Sequence, residues 1–171
     1  MKINTSNPNK LKDFQRLFSD STLEVTTVDL QEPDATPLEV IASKATQVGE
    51  GVLVQDTSLD VDGVDIGVNV KWLQDSLHLY VGKPATFTVL IGIVIDNQVH
   101  VYKGEVSGTI VPASGDGFGF DPVFKPNSSN RTLAEYKPDC FNANALAVQA
   151  FLNQEVHCIC DLLYWEGKWQ A

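Results

Sequence analysis

The stretch Ala85–Val111, "ATFTVLIGIVIDNQVHVYKGEVSGTIV", sets the fold class. It is rich in Val, Ile, Thr and Phe, side chains that suit a pleated surface better than a helix. At its middle, Asp96-Asn97 tolerate the left-handed backbone of a tight turn, so the segment predicts a hairpin of two long strands.

Outside the hairpin the pattern changes period. "GVLVQ" (Gly51–Gln55) is a continuous apolar run and predicts a buried central strand that stops at Asp56. Lys2–Thr5 and Leu23–Val28 predict two further strands. "KLKDFQRLF" sets Leu11, Phe14, Leu17 and Phe18 at helical spacing, with Asn7 or Asn9 as the cap. Pro37 opens a second helix, with Leu38, Ile41, Ala42, Ala45 and Val48 on one face and an end near Gly49. "VKWLQDSLHLYV" predicts a short helix that buries Trp72, Leu73, Leu77 and Leu79. "CFNANALAVQAFLNQ" predicts a third long helix, and Val156–Trp169 two short strands around Glu166-Gly167. This mixture predicts one α/β domain, residues 1–171, built on a long mixed sheet.

Composition narrows the function classes. With 171 residues, 43% apolar and 20% charged, the chain has the profile of an ordered globular domain. No apolar run approaches the ~20 residues of a membrane span. A net charge of −10 argues against general nucleic-acid or membrane binding. A phosphorylated substrate would need only a few Lys gathered locally. The opening "MKINTSNPNK" turns polar at once, and three Cys without a secretory pattern point to a reducing, cytoplasmic setting. His78, His100 and His157 lack ligand-like spacing, and Cys158 and Cys160 read as buried thiols on one face of a strand.

Two places carry candidate chemistry. The strand–turn–helix opening "TSNPNK" exposes backbone N–H groups at a helix start beside Lys10, an arrangement that attracts phosphate, although an ordinary capped helix shares it. In "VLVQDTSLDVDGVD", Asp56 just past a buried strand is open to two readings, a cation ligand or a solvated carboxylate. Asp60, Asp62 and Asp65 read as solvated loop acids, without the spacing of a calcium loop. Glu32, in "DLQEPD", is a second cation ligand if the strand ends are neighbours. The segment "GDGFGFDPVFKP" (Gly115–Pro126) suits neither helix nor strand, since Gly and Pro both break element interiors.

Taken in order, "TSNPNKLKDF", "DLQEPD", "VLVQDTSL", "VKWL", "GDGFGFDPVFKP" and "TLAEY" resemble the inosine triphosphate pyrophosphatase family. That resemblance implies an elongated mixed sheet with flanking helices, two lobes around a central cleft, and a homodimer. The implied activity is Mg²⁺-dependent hydrolysis of non-standard purine nucleoside triphosphates, such as ITP, dITP and XTP, to monophosphate and pyrophosphate. The implied roles fall as follows. Thr5, Ser6, Asn7 and Lys10 hold the triphosphate, Lys44, Thr57 and Lys71 approach it, and Lys10 also belongs to the catalytic set. Glu32 and Asp56 bind the metal, Asp56 also activating water. Phe118, Gly119, Phe120 and Asp121 form part of the base pocket, and Asn142 remains from the family's C-terminal signature.

The same comparison shows departures. Where the family has Lys-Asn, two residues, then Ser-His-Arg, this chain has Phe141, Asn142, then Ala145, Leu146 and Ala147. Those family residues grip the purine, and apolar replacements discriminate far less than polar readout. Gln55 stands where an acidic residue usually precedes the catalytic Asp. Three expectations follow: a triphosphate pyrophosphatase with altered base preference, a catalytically silent nucleotide-binding or interaction protein on the same scaffold, or a pyrophosphatase for a modified nucleotide or other nucleoside diphosphate derivative.

Overall fold

The computed structural model describes residues 1–18, 23–64 and 74–170; Lys71, and with it Asp65, Trp72 and Leu73, lie outside the described residues. Among the described residues, the strands are β1 (Lys2–Asn4), β2 (Glu24–Thr26), β3 (Val52–Val61), β4 (Pro84–Ile95), β5 (Gln98–Ile110), β6 (Phe124–Pro126) and β7 (Cys158–Asp161). The α-helices are α1 (Pro8–Leu17), α2 (Pro37–Val48) and α3 (Ala143–Leu152). The strands form one mixed sheet in the order β2-β1-β3-β4-β5-β6, with β7 also on β5. Pairings β2–β1 and β1–β3 are parallel, the others antiparallel.

The hairpin forms as its sequence requires. Asp96 and Asn97 take φ of 52° and 62°, and β4 pairs with β5 from Ile95↔Gln98 to Pro84↔Thr109. Phe87, Val89 and Ile91 face one layer of core with α1 and α3, while Leu90 and Val94 face α2. Burial on both faces explains why the run Val89–Val94 is continuous rather than alternating. Asn7 caps α1, its side chain accepting from the N–H groups of Asn9 and Lys10. Thr36 and Glu39 close a reciprocal capping box on α2, which ends at Gly49 with φ 85°.

Four expectations are corrected. β3 does not stop at Asp56 but runs on to Val61, because β4 pairs with it from Val54↔Gly92 through Val61↔Ala85. Its parallel partner β1 reaches only Leu53, so beyond that point the β1-side edge of β3 opens. The segment read as a helix over Val70–Val81 is a 3-10 helix at Gln74–Tyr80 where described; three residues per turn bury Leu77 but leave Leu79 exposed. The tail is not a hairpin around Glu166-Gly167. β7 instead fills the edge of β5 beside Gln98–Val101, and Trp169 makes an isolated antiparallel bridge to Pro33. Leu38, expected on the buried face of α2, is exposed.

Candidate functional site

The site begins where β1 ends. Asn4 is buried, and its carboxamide donates to the Val28 carbonyl at 3.0 Å and accepts from the Val28 N–H at 2.8 Å, which fixes the chain leaving β2. That chain leads to Glu32. Gln47 of α2 exchanges two hydrogen bonds with the backbone of Gln31, so the Glu32 loop is referenced to the helix that carries Lys44.

Lys44 Nζ lies 3.6 Å from Glu32 Oε1, 3.6 Å from Asp56 Oδ1, and donates to the Gln55 carbonyl at 2.7 Å. The Lys44 and Asp56 side chains are each 12% exposed, so this is a nearly desolvated cluster. Burial pushes the Asp56 carboxyl above its ordinary 3.8; the charges of Lys44 and Lys10 oppose that rise and Glu32 adds to it.

A cleft of about 680 Å³ opens beside the cluster, within the range of small-molecule sites. At one end it is bounded by Lys10, Glu32, Asp56 and Thr57. At the other lie Phe118, Gly119, Phe120 and Asp121 of the glycine-rich segment, with Asn142 and Asn144 at the start of α3. Gly119 has φ 61°, and this left-handed turn sends its neighbours opposite ways. Phe118 is 62% exposed, whereas Phe120 is 6% exposed and meets Phe87 edge-on at 4.9 Å. Asp121 takes two hydrogen bonds from Lys137 Nζ, at 3.0 and 3.2 Å. "TLAEY" props the segment from behind: Thr132 Oγ1 donates to the Ser114 carbonyl and the Ala134 N–H donates to the Asp121 carbonyl.

Residues 1–153 match the Ham1 family. The chain belongs to the Ham1 family. Among its relatives, the dITP/XTP pyrophosphatase of Pyrobaculum aerophilum is 28% identical, with 88% of this chain and 91% of that one covered. The inosine triphosphate pyrophosphatase of Yarrowia lipolytica is 32% identical, covering 81% and 85%. The Ham1 protein of Staphylococcus aureus has a solved structure that superposes with a TM-score of 0.68 at 25% identity, covering 91% of this chain and all of that one. The sheet and helices described above are therefore the Ham1 fold.

Of the residues singled out in the sequence, Asn7, Lys10, Glu32, Asp56, Thr57, Phe118, Gly119, Phe120, Asp121 and Asn142 border the cleft. Lys44 reaches the cluster from behind it. Thr5 shapes the β1–α1 turn, its hydroxyl accepting from the Asn7 N–H, and Ser6 is exposed outside the lining. Ala145 and Ala147 are fully buried in helix packing, so neither meets the cleft.

Sequence reading missed Asp13, Asn144, Lys137 and Trp169. The Asp13 carboxylate is pushed up by burial, yet hydrogen bonds from Asn144, Arg16 and Asn142 hold it below 3.8. Its i, i+3 relation to Arg16 was visible; its junction with α3, more than a hundred residues on, was not. Among the described residues, Gln55 Nε2 and Oε1 and Asn144 Oδ1 are buried polar atoms without hydrogen-bond partners, and both residues border the cleft.

Proposed function

We propose that this protein hydrolyses nucleoside triphosphates of the non-standard purine class, such as ITP, dITP and XTP, to the monophosphate and pyrophosphate. The observation that carries the reading is the convergence of Glu32 and Asp56 on one ammonium, with Lys10 close enough to act on Asp56, at one end of a nucleotide-sized cleft. The names of the Pyrobaculum and Yarrowia relatives support the same reaction class.

A divalent cation fits these residues. Two carboxylates lie within reach of one cation, here the Lys44 ammonium, and no cluster of three or more His, Cys, Asp or Glu occurs among the described residues. Mg²⁺ suits such a site, since it takes one or two carboxylates and leaves its other positions to phosphate oxygens and water. Glu32 and Asp56 would hold it, and when bound it would neutralise phosphate charge. In the proposed reaction a water oxygen attacks the α-phosphorus, its proton passes to the Asp56 carboxylate, and the bond to the pyrophosphate oxygen breaks. A carboxyl raised by burial is a stronger base than an exposed one, which suits Asp56 to that transfer. Lys10 and Lys44 offset charge on the phosphates, and Phe118 offers an exposed ring for the base.

Base preference is proposed to differ from polar Ser-His-Arg readout, passing to the unpaired carboxamide of Gln55 and the unpaired Oδ1 of Asn144. The catalytically silent alternative is not favoured, because the carboxylate pair and both lysines remain beside one cleft. The protein is further proposed to act in the cytoplasm as a homodimer; no helix among the described residues is long and apolar enough to cross a membrane. A panel of ITP, XTP, GTP, ATP and their deoxy forms, assayed for pyrophosphate with Mg²⁺ or Mn²⁺, tests the reading. Release from at least one, lost in Asp56→Asn, is expected; none from any would overturn it.

A further inference from the structure

The end of the chain lies outside the region matched to the family, which stops at residue 153, yet it returns to the cleft. β7 pairs with β5, and the Leu163 N–H then donates to Thr46 Oγ1 on α2 at 2.9 Å. Beyond it, the Trp165 indole N–H donates to the Lys168 carbonyl at 2.7 Å, folding the ring beneath the turn at Gly167. A Cβ on Gly167 would meet that ring at 2.7 Å, so glycine permits the close fold. The segment finally lies antiparallel to the Glu32 loop. The Asp34 N–H donates to the Lys168 carbonyl at 2.9 Å, and the Gln170 N–H to the Glu32 carbonyl at 2.7 Å. Gln170 Nε2 donates to the Pro33 carbonyl at 2.9 Å. Trp169 and Gln170 both border the cleft.

We propose that residues 165–170 are a positioning strap for the phosphate end of the cleft, holding the Glu32 carboxylate in register with Asp56 and supplying Trp169 as wall. The inference rests on the proposed function for what is bound there, and on hydrogen bonds alone for the strap itself. Two anchors define the Glu32 loop. Gln47 of α2 holds Gln31 on one side, and the strap holds Glu32, Pro33 and Asp34 on the other. Both anchors refer to α2, the helix of Lys44, because Thr46 fixes the strap's approach. Removing the second anchor leaves the loop held on one side, with Glu32 free to swing from Lys44. Gln170 and Trp169 are positioning residues; neither transfers a proton.

The test uses the full chain in three forms: parent, Gln170→Pro and Gln170→Ala. Gln170→Pro removes the N–H that bonds Glu32, and Gln170→Ala removes only the side-chain bond, a milder change that keeps the test open if the proline variant folds poorly. Hydrogen exchange of residues 29–34 and Mn²⁺ binding, followed by electron paramagnetic resonance, are read without turnover. Both variants are expected to exchange faster in that segment and to bind Mn²⁺ more weakly, by about fivefold to tenfold for Gln170→Pro, the scale of one hydrogen bond. With the best triphosphate of the panel, KM should rise by a similar factor while kcat stays within about threefold, the mark of lost positioning rather than lost chemistry. Unchanged exchange and Mn²⁺ binding in both Gln170 variants overturn the strap, whatever the enzyme does. A parent that hydrolyses no triphosphate overturns the proposed function, while exchange and Mn²⁺ binding still decide the strap.

Discussion

Asp56 carries two linked consequences of burial. Its carboxyl titrates above 3.8, so from there up to its folded-state value the folded chain retains a proton that the unfolded chain has lost. Stability therefore falls as pH rises through that window. Asn in its place mimics the protonated form. Asp56→Asn should gain thermal stability relative to the parent as pH rises above the ordinary carboxylate range, while losing about 10²–10⁴-fold in kcat, and melting and pyrophosphate assays across pH check both. The parent's activity should fall on the acid side at a pH above that of an exposed carboxylate. Lys44 presents the opposite case. Lys44→Met leaves Glu32 and Asp56 facing each other without their ammonium, at a cost of about 3 kcal/mol in urea unfolding. Added Mg²⁺ should recover stability in this variant more than in the parent. Phe118 and Phe120 show why residue type alone assigns no role. Phe118→Ala should raise KM about tenfold or more by removing a stacking ring, with stability intact, whereas Phe120→Ala should cost about 3–5 kcal/mol of core packing.

At the scale of elements, legibility followed locality. The β4–β5 hairpin could be read because its turn residues and its strand composition lie in one uninterrupted stretch. The caps of α1 and α2 were equally local, with Asn7 settled over Asn9 by its two backbone N–H partners. β3 was cut short because Asp56 looks like a boundary; what continues the strand is β4, a partner some thirty residues downstream that no window on β3 contains. The seat of α3 was hidden for a related reason. Gly104 sits in the middle of β5, where a lone Gly reads as a weakness, yet a Cβ there would collide with the Ala143 carbonyl and approach Ala147 N to 2.5 Å. The glycine lets the helix backbone lie close against the sheet. Gly104→Ala should push α3 outward, lowering stability by about 1–3 kcal/mol through a lower urea midpoint at unchanged slope. Because the start of α3 carries Asn142 and Asn144 to the cleft, KM should rise with it.

Across the whole molecule, the cleft is assembled from the β1–α1 turn, the Glu32 loop, β3, β4, the glycine-rich segment, α3 and the strap, so its lining runs from Asn7 to Gln170. Motif order singled out the segments that meet at this cleft, because each is a short stretch with its own chemistry. The strap escaped, since its partner loop lies 137 residues away and backbone hydrogen bonds leave no mark on either sequence. A ligand in such a cleft ties distant segments together, and its binding energy opposes global rather than local unfolding. At about a hundredfold excess over Kd, a nonhydrolysable triphosphate with Mg²⁺ adds about 2.7 kcal/mol. For a chain of this size each kcal/mol moves Tm by about 2–4 °C, so a single transition should shift upward by about 5–11 °C. Gln170→Pro, with the Glu32 loop released, should show a smaller shift at the same ligand concentration. Calorimetry checks both: a ligand-induced rise confined to one of two separate transitions would mean that the segments around the cleft do not unfold as a unit, and that the convergence on Lys44 is not what couples them.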